Sequence, residues 1–177
     1  MRRSAAESLK GQTEALVAAA SAAADWFRRP AASALSAART ARLRALGWRD
    51  AAKPADADLS FALREAVEHS AQAVAEAARW GVESDLGLYR TAEAVREAAK
   101  KLSAAAGSKG RARAAALVEA KKWAGEAERL RRLTRSAAHE DPSLAGALKR
   151  ETVSTRLSNA AEAVQQACDA LGGTLAE

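Results

Sequence analysis

The chain has a single cysteine, Cys168, in 177 residues, so it has no internal disulfide and no CxxC metal or redox motif. It has two histidines, His69 and His139, too few for a zinc centre built from His and Cys. A reducing, cytoplasmic setting is therefore the default expectation. Aromatic residues make up 4% of the chain and β-branched residues are also scarce, which argues against strands. Long apolar runs are missing too. The N-terminus, MRRSAAESLKGQTEALVAAASAAADW, looks at first like a leader, but Glu7, Lys10 and Glu14 interrupt it. A membrane-crossing helix needs about 20 apolar residues, and no such run is found. There is no GxxxxGK[ST] loop, no GxGxxG turn, and no nucleophile paired with a base at a supporting spacing, so no catalytic residue and no cofactor are expected.

What is present is alanine, more than a quarter of the chain, with frequent Leu, Arg, Glu and Lys. That is the composition of helix formers, and the fold class expected is all-α. The 28 basic and 22 acidic side chains leave a formal charge of +6, a mild bias towards anionic partners that selects none of nucleic acid, a phospholipid surface or an acidic protein.

Three prolines and a few glycines divide the chain into six helical segments. The first runs from about Ser4 to Arg28, before Pro30, with Leu9, Gln12, Leu16, Ala19, Ala20 and Ala23 on one side and Trp26 and Phe27 beyond. The second passes through Leu35, Ala38, Leu43 and Leu46 and ends around Gly47–Lys53, before Pro54. The third follows an Asp56 or Asp58 cap. Its buried stripe is Leu59, Leu63, Val67, Ser70, Val74 and Ala77, reaching Trp80 and Gly81. The fourth starts after Ser84–Asp85 and ends at AAAGSKG. The fifth covers about Arg111 to Ala138, with Leu117, Lys121, Gly125, Leu130 and Leu133 near its apolar side. In HEDPSL, Asp141 reads as a cap and Pro142 as a first helical residue. The sixth helix then continues through Leu148, Leu157, Ala160, Val164 and Cys168 to Leu171, and Gly172–Gly173 ends it. Short links make neighbours antiparallel, giving an elongated six-helix bundle. PADADLSFAL and EDPSLAGAL echo each other, each with an acid–proline start, a Leu and then Ala-Leu. The echo suggests two three-helix halves in one domain, 1–81 and 84–177.

The run Lys53-Pro54-Ala55-Asp56-Ala57-Asp58-Leu59, the helix ALREAVEHSAQAVAEAA after it, and residues 117–177 carry a resemblance. In length, loop position and hydrophobic register they resemble the PhoU-like phosphate-uptake regulators, especially the branch that accompanies Pit-type phosphate transporters. The resemblance covers 54–177, and 1–53 only by helix count. It implies two repeated three-helix bundles, a transporter as partner at the cytoplasmic face of the membrane, and metal clusters held by Glu/Asp-x-x-x-Asp motifs.

Acids four apart share a helix face and can bind hard cations together, but this chain departs from that pattern at the matching positions. They are Glu68, His69 and Gln72 in the third helix, Ala124, Glu126 and Glu128 in the fifth, and Glu162, Gln165 and Gln166 in the sixth. The second helix is basic there, with Arg39, Arg42 and Arg44. The expectation is a dismantled metal site, with Glu68, His69, Glu128 and Glu162 as solvated helix-face residues. Whether residual metal binds at Glu68, Glu128 or Glu162 stays open, as does a homo-oligomer.

Arg129, Arg131, Arg132 and Arg135, with the second-helix arginines, are expected to pair with Glu119, Glu126 and Glu128. A basic helical binding module for nucleic acid or an anionic membrane surface is the alternative function. The lack of an aromatic platform and of helix-turn-helix punctuation argues against nucleic acid. Trp26, Trp48, Trp80 and Trp123 read as core or helix-end packing, His139 as a helix-end residue, and Cys168 as a small core residue. The expected activity is non-enzymatic regulation of phosphate transport.

Overall fold

The computed structural model describes residues 5–48, 57–83, 85–138 and 143–173. It is all-helical, with six helices in the described residues: α1 (Ala5–Arg28), α2 (Ala32–Gly47), α3 (Ala57–Trp80), α4 (Leu86–Ala106), α5 (Gly110–Ala138) and α6 (Leu144–Gly173). Ser4, Lys53, Asp56, His139 and Asp141 lie outside the described residues. Asp58 sits in the first turn of α3 rather than before it. Asp85 caps α4, its carboxylate accepting the Leu88 N–H at 2.7 Å. At α6 the Ser143 hydroxyl accepts the Gly146 N–H at 3.2 Å, so Ser143 serves as the cap expected of Asp141. Gly172 and Gly173 form the last residues of α6, which ends at Gly173.

Helices α1, α2 and α3 pack on one another, as do α4, α5 and α6; the two sets meet through α1 on α4 and α3 on α6. Four helices thus form the centre, and α2 and α5 flank it on opposite sides. The sets run in opposite directions. Asp25 near the end of α1 lies 3.9 Å from Arg96 in mid-α4, whereas Leu9 and Thr13 share a groove with Ser103 and Ala106. Glu76 and Trp80 of α3 likewise meet Arg156 and Lys149 of α6 in reversed order.

Burial repeats between the sets with identical spacing. Leu59, Leu63, Ala66, Val67, Ser70, Ala73, Val74 and Ala77 of α3 match Val153, Leu157, Ala160, Ala161, Val164, Ala167, Cys168 and Leu171 of α6. Gln12, Ala15, Leu16, Ala19, Ala20 and Ala23 match Thr91, Ala94, Val95, Ala98, Ala99 and Leu102. Ala38, Ala41 and Ala45 of α2 match Leu117, Ala120 and Ala124 of α5. One separation relates α1 to α4 and α2 to α5, and a larger one relates α3 to α6. The extra chain therefore lies between Ala127 and Val153, adding about three turns to the end of α5 and about two to the start of α6.

That extension corrects the register read from the sequence. Leu144 and Leu148, the counterparts of Leu59 and Leu63 in the PADADLSFAL echo, are 77% and 60% exposed, because they precede the repeat and have few neighbours to pack on. The apolar sides of α2 and α5 differ too. Leu43 (69%), Leu46 (47%) and Leu133 (57%) face solvent, as do Lys121 and Gly125. Both helices pack chiefly through small side chains, Ala34, Ala38, Ala41 and Ala45 in α2 and Ala120, Ala124 and Ala127 beside Leu117 in α5. Alanine lets helix axes approach closely, so contact is made without bulky residues. The stripes expected of α1 and α3 are buried, with Leu9, Trp26 and Trp80 partly so, while Gly81 at the end of the α3 stripe is exposed.

Candidate functional site

The acidic positions of α3, α5 and α6 are the natural place to look for chemistry, and each is engaged locally or faces solvent. Glu68 accepts hydrogen bonds from Arg42 Nε of α2 at 2.6 Å and from Gln72 Nε2 one turn on at 2.7 Å. The guanidinium and the amide thus occupy the Glu68 carboxylate that a cation would need. Glu65 stands 3.7 Å from His69 Nε2 on the same helix. On α5, Arg129 donates twice to Glu126, at 2.7 and 2.6 Å. Arg131 donates twice to Glu128, at 3.1 and 3.2 Å, and the Ser158 hydroxyl of α6 also bonds Glu128. The Arg131 hydrogen bonds are the largest cause holding the Glu128 carboxyl below its ordinary value, against partial burial that raises it. Ala124 is fully buried, Glu162 and Gln166 are exposed, and Gln165 is half-buried.

The positions do not converge. Glu68 faces α2 and Glu128 faces α6, while Glu162 points to solvent. Among the described residues no three of His, Cys, Asp and Glu are grouped to hold a metal ion. His69 Nδ1, Ser70 Oγ and Gln72 Oε1 are buried without hydrogen-bond partners among the described residues, yet none joins a second ionisable group across a helix interface.

The arginines divide into two kinds. Arg129 and Arg131 are paired on α5, the latter also 3.7 Å from Glu151 of α6, and Arg132 is exposed. The side chain of Arg135 lies outside the described residues. On α2, Arg42 is tied to Glu68, but Arg39 and Arg44 are exposed, and no ion pair to either is recorded among the described residues. Sequence reasoning treated these seven as one class; the difference depends on which carboxylate lies in reach, one turn away for Arg129 and Arg131 and across the α2–α3 interface for Arg42.

Two open grooves lie at the end of the bundle where α1 begins. One, of about 460 Å³, is bounded by Gly11, Glu14, Arg44 and Trp48. The other, of about 530 Å³, is bounded by Leu9, Lys10, Thr13, Ser103, Lys109 and Arg113. Neither sets a nucleophile beside a base. Cys168 is 1% exposed, and burial pushes its thiol up to about 12. A thiol held protonated is a poor nucleophile. No described helix is long and apolar enough to cross a membrane. No family model and no curated protein matches the chain.

Proposed function

We propose that this chain is a non-enzymatic accessory protein of inorganic phosphate transport, docking on a Pit-type permease at the cytoplasmic face of the membrane. The observation that supports the reading best is the architecture itself. Two three-helix sets run in opposite directions, with repeated burial and α2 and α5 outermost. This is the arrangement implied by the resemblance of residues 54–177 to the PhoU-like regulators. The ion pairs Arg42–Glu68 and Arg131–Glu128 stand where that family would carry metal ligands, so the reading keeps the scaffold and dispenses with the metal. A docked helical protein regulates a transporter by binding one of its conformations more tightly than another, and it needs no chemistry of its own.

A tagged copy, incubated with detergent-solubilised membranes and recovered, tests this. A Pit-type permease in stoichiometric amount, missing when an unrelated helical bundle is the bait, is the expected result. Recovery without any phosphate permease overturns the reading.

A further inference from the structure

We propose that the outer face of α2 is a docking surface for an anionic phospholipid bilayer. The helix is built the reverse of an ordinary flanking helix. Its buried residues are all alanine (Ala34, Ala38, Ala41 and Ala45), Leu35 packs partly buried against the core, and its other bulky apolar residues, Leu43 and Leu46, point away. At 100° per residue, Leu43 stands directly opposite those alanines, with Arg39 and Leu46 towards one side and Arg44 towards the other. Leu43 is 69% exposed although the same chain buries leucine in α1, α3 and α4, so no shortage of core accounts for its position.

The charge is one-sided. From Ala32 to Gly47 there is no acidic residue, and Arg28 and Arg29 stand at the turn from α1 into the helix, two residues before it. Among the described residues, Glu68 beside it is taken by Arg42, and Glu14, across the groove from Arg44, lies 3.8 Å from Lys10. Trp48, at the C-terminal end of α2, packs on Gly11 of α1 on the side of the alanines and takes no part in this face. Arginines flanking exposed leucines suit a surface that is anionic above and apolar just beneath.

A nucleic-acid occupant would use the arginines alone and gain nothing from Leu43 and Leu46. The convex face of a single outer helix also matches a broad flat surface. Each basic residue near an anionic bilayer contributes roughly fivefold in partitioning, so the surface is weak and salt-sensitive, and needs the leucines. The inference stands apart from the permease reading, because its test contains no permease.

The full-length protein is sedimented with vesicles of phosphatidylglycerol and phosphatidylcholine, and with phosphatidylcholine alone, with circular dichroism verifying the fold of each variant. Binding to the anionic vesicles only is expected. Arg39→Ser with Arg44→Ser lowers it roughly thirtyfold, and Leu43→Ser with Leu46→Ser lowers it several-fold. Arg111→Ser with Lys122→Ser, exposed cations of α5, leaves it near the parent value. Absence of binding to anionic vesicles overturns the proposal, as does an equal loss from the α5 pair, which would mean that net charge alone acts. Binding indifferent to the leucine substitutions, together with a duplex-DNA complex that the arginine substitutions abolish, would assign the face to nucleic acid and overturn the lipid surface.

Discussion

The Trp48 indole fills the space that a side chain at Gly11 would need: a Cβ there would overlap the ring. Gly11 lies inside α1, where glycine weakens a helix by about 1 kcal/mol relative to alanine, and the close approach of the indole is the reason for it. Gly11→Ala should therefore lower stability by about 1 kcal/mol despite its better helix propensity, since overpacking costs about 1–3 kcal/mol. In a Trp48→Ala background the same change should become stabilising. Thermal melts of the four proteins check this, and an unchanged sign in both backgrounds refutes the packing argument.

Arg156 and Glu76 join the two halves. The guanidinium of α6 donates to the α3 carboxylate at 3.1, 3.3 and 3.0 Å, with both side chains largely shielded. Fork-like pairing of this kind exceeds an ordinary surface ion pair. Arg156→Met and Glu76→Gln should each cost about 1–2 kcal/mol, and a double-mutant cycle by urea unfolding should return a coupling of about 1 kcal/mol. Full additivity would show that the halves do not depend on this bridge.

Leu157 and Leu148 lie on the same helix and should respond oppositely. Leu157 is fully buried, so Leu157→Ala should cost about 2–5 kcal/mol. Leu148 precedes the repeated stripe and is 60% exposed, so Leu148→Ala should change stability by less than about 0.5 kcal/mol. Comparable losses at both sites would contradict the burial register of α6.

Burial holds Cys168 protonated up to about 12, above its ordinary value of 9.0. Between those values the unfolded chain releases the thiol proton and the folded chain keeps it, so stability should fall as pH rises above about 9, by up to about 1.4 kcal/mol per unit. Cys168→Ala should remove that slope. A thiol reagent at pH 8 should label the native protein far more slowly than the urea-unfolded one, and rapid native labelling would place the thiol at the surface.

The Glu128 carboxyl lies below its ordinary value, chiefly through its Arg131 hydrogen bonds, with Ser158 a further partner. A depressed carboxylate stabilises the fold above its unfolded value of about 4.5 and loses that contribution as pH falls through the folded value. Glu128→Gln should flatten acid unfolding in that window. Zinc or iron(II) should leave the melting temperature unchanged, since Glu68, Glu128 and Glu162 do not meet; a metal-dependent rise would show that they do.

Sequence periodicity found six helices within a few residues, because alanine-rich runs between Pro30, Pro54, Gly107 and Pro142 permit little else. It also found the buried stripe of α3, where leucine and valine mark the inner face. It failed on α2, where Leu43 and Leu46 mark the outer face, and on Leu148, where an extension of α5 and α6 displaces the echo. Alanine contributes little contrast to a hydrophobic pattern, so when alanine is the contact residue the buried side is set by neighbours that local sequence does not reveal. The amides Gln72, Gln165 and Gln166 were legible in the sequence; the partners that Glu68 and Glu128 find in Arg42 and Ser158 were not, since they come from other helices.

The sequence by itself determined the helical class and the chain breaks, because helix propensity and proline act within a few residues. It also determined the positive charge and the absence of an acid from α2. The tertiary structure decided which side of α2 faces water, which arginines find a carboxylate and which glycine must stay bare. Those outcomes depend on contacts between residues far apart in the chain, such as Arg42 with Glu68 and Trp48 with Gly11.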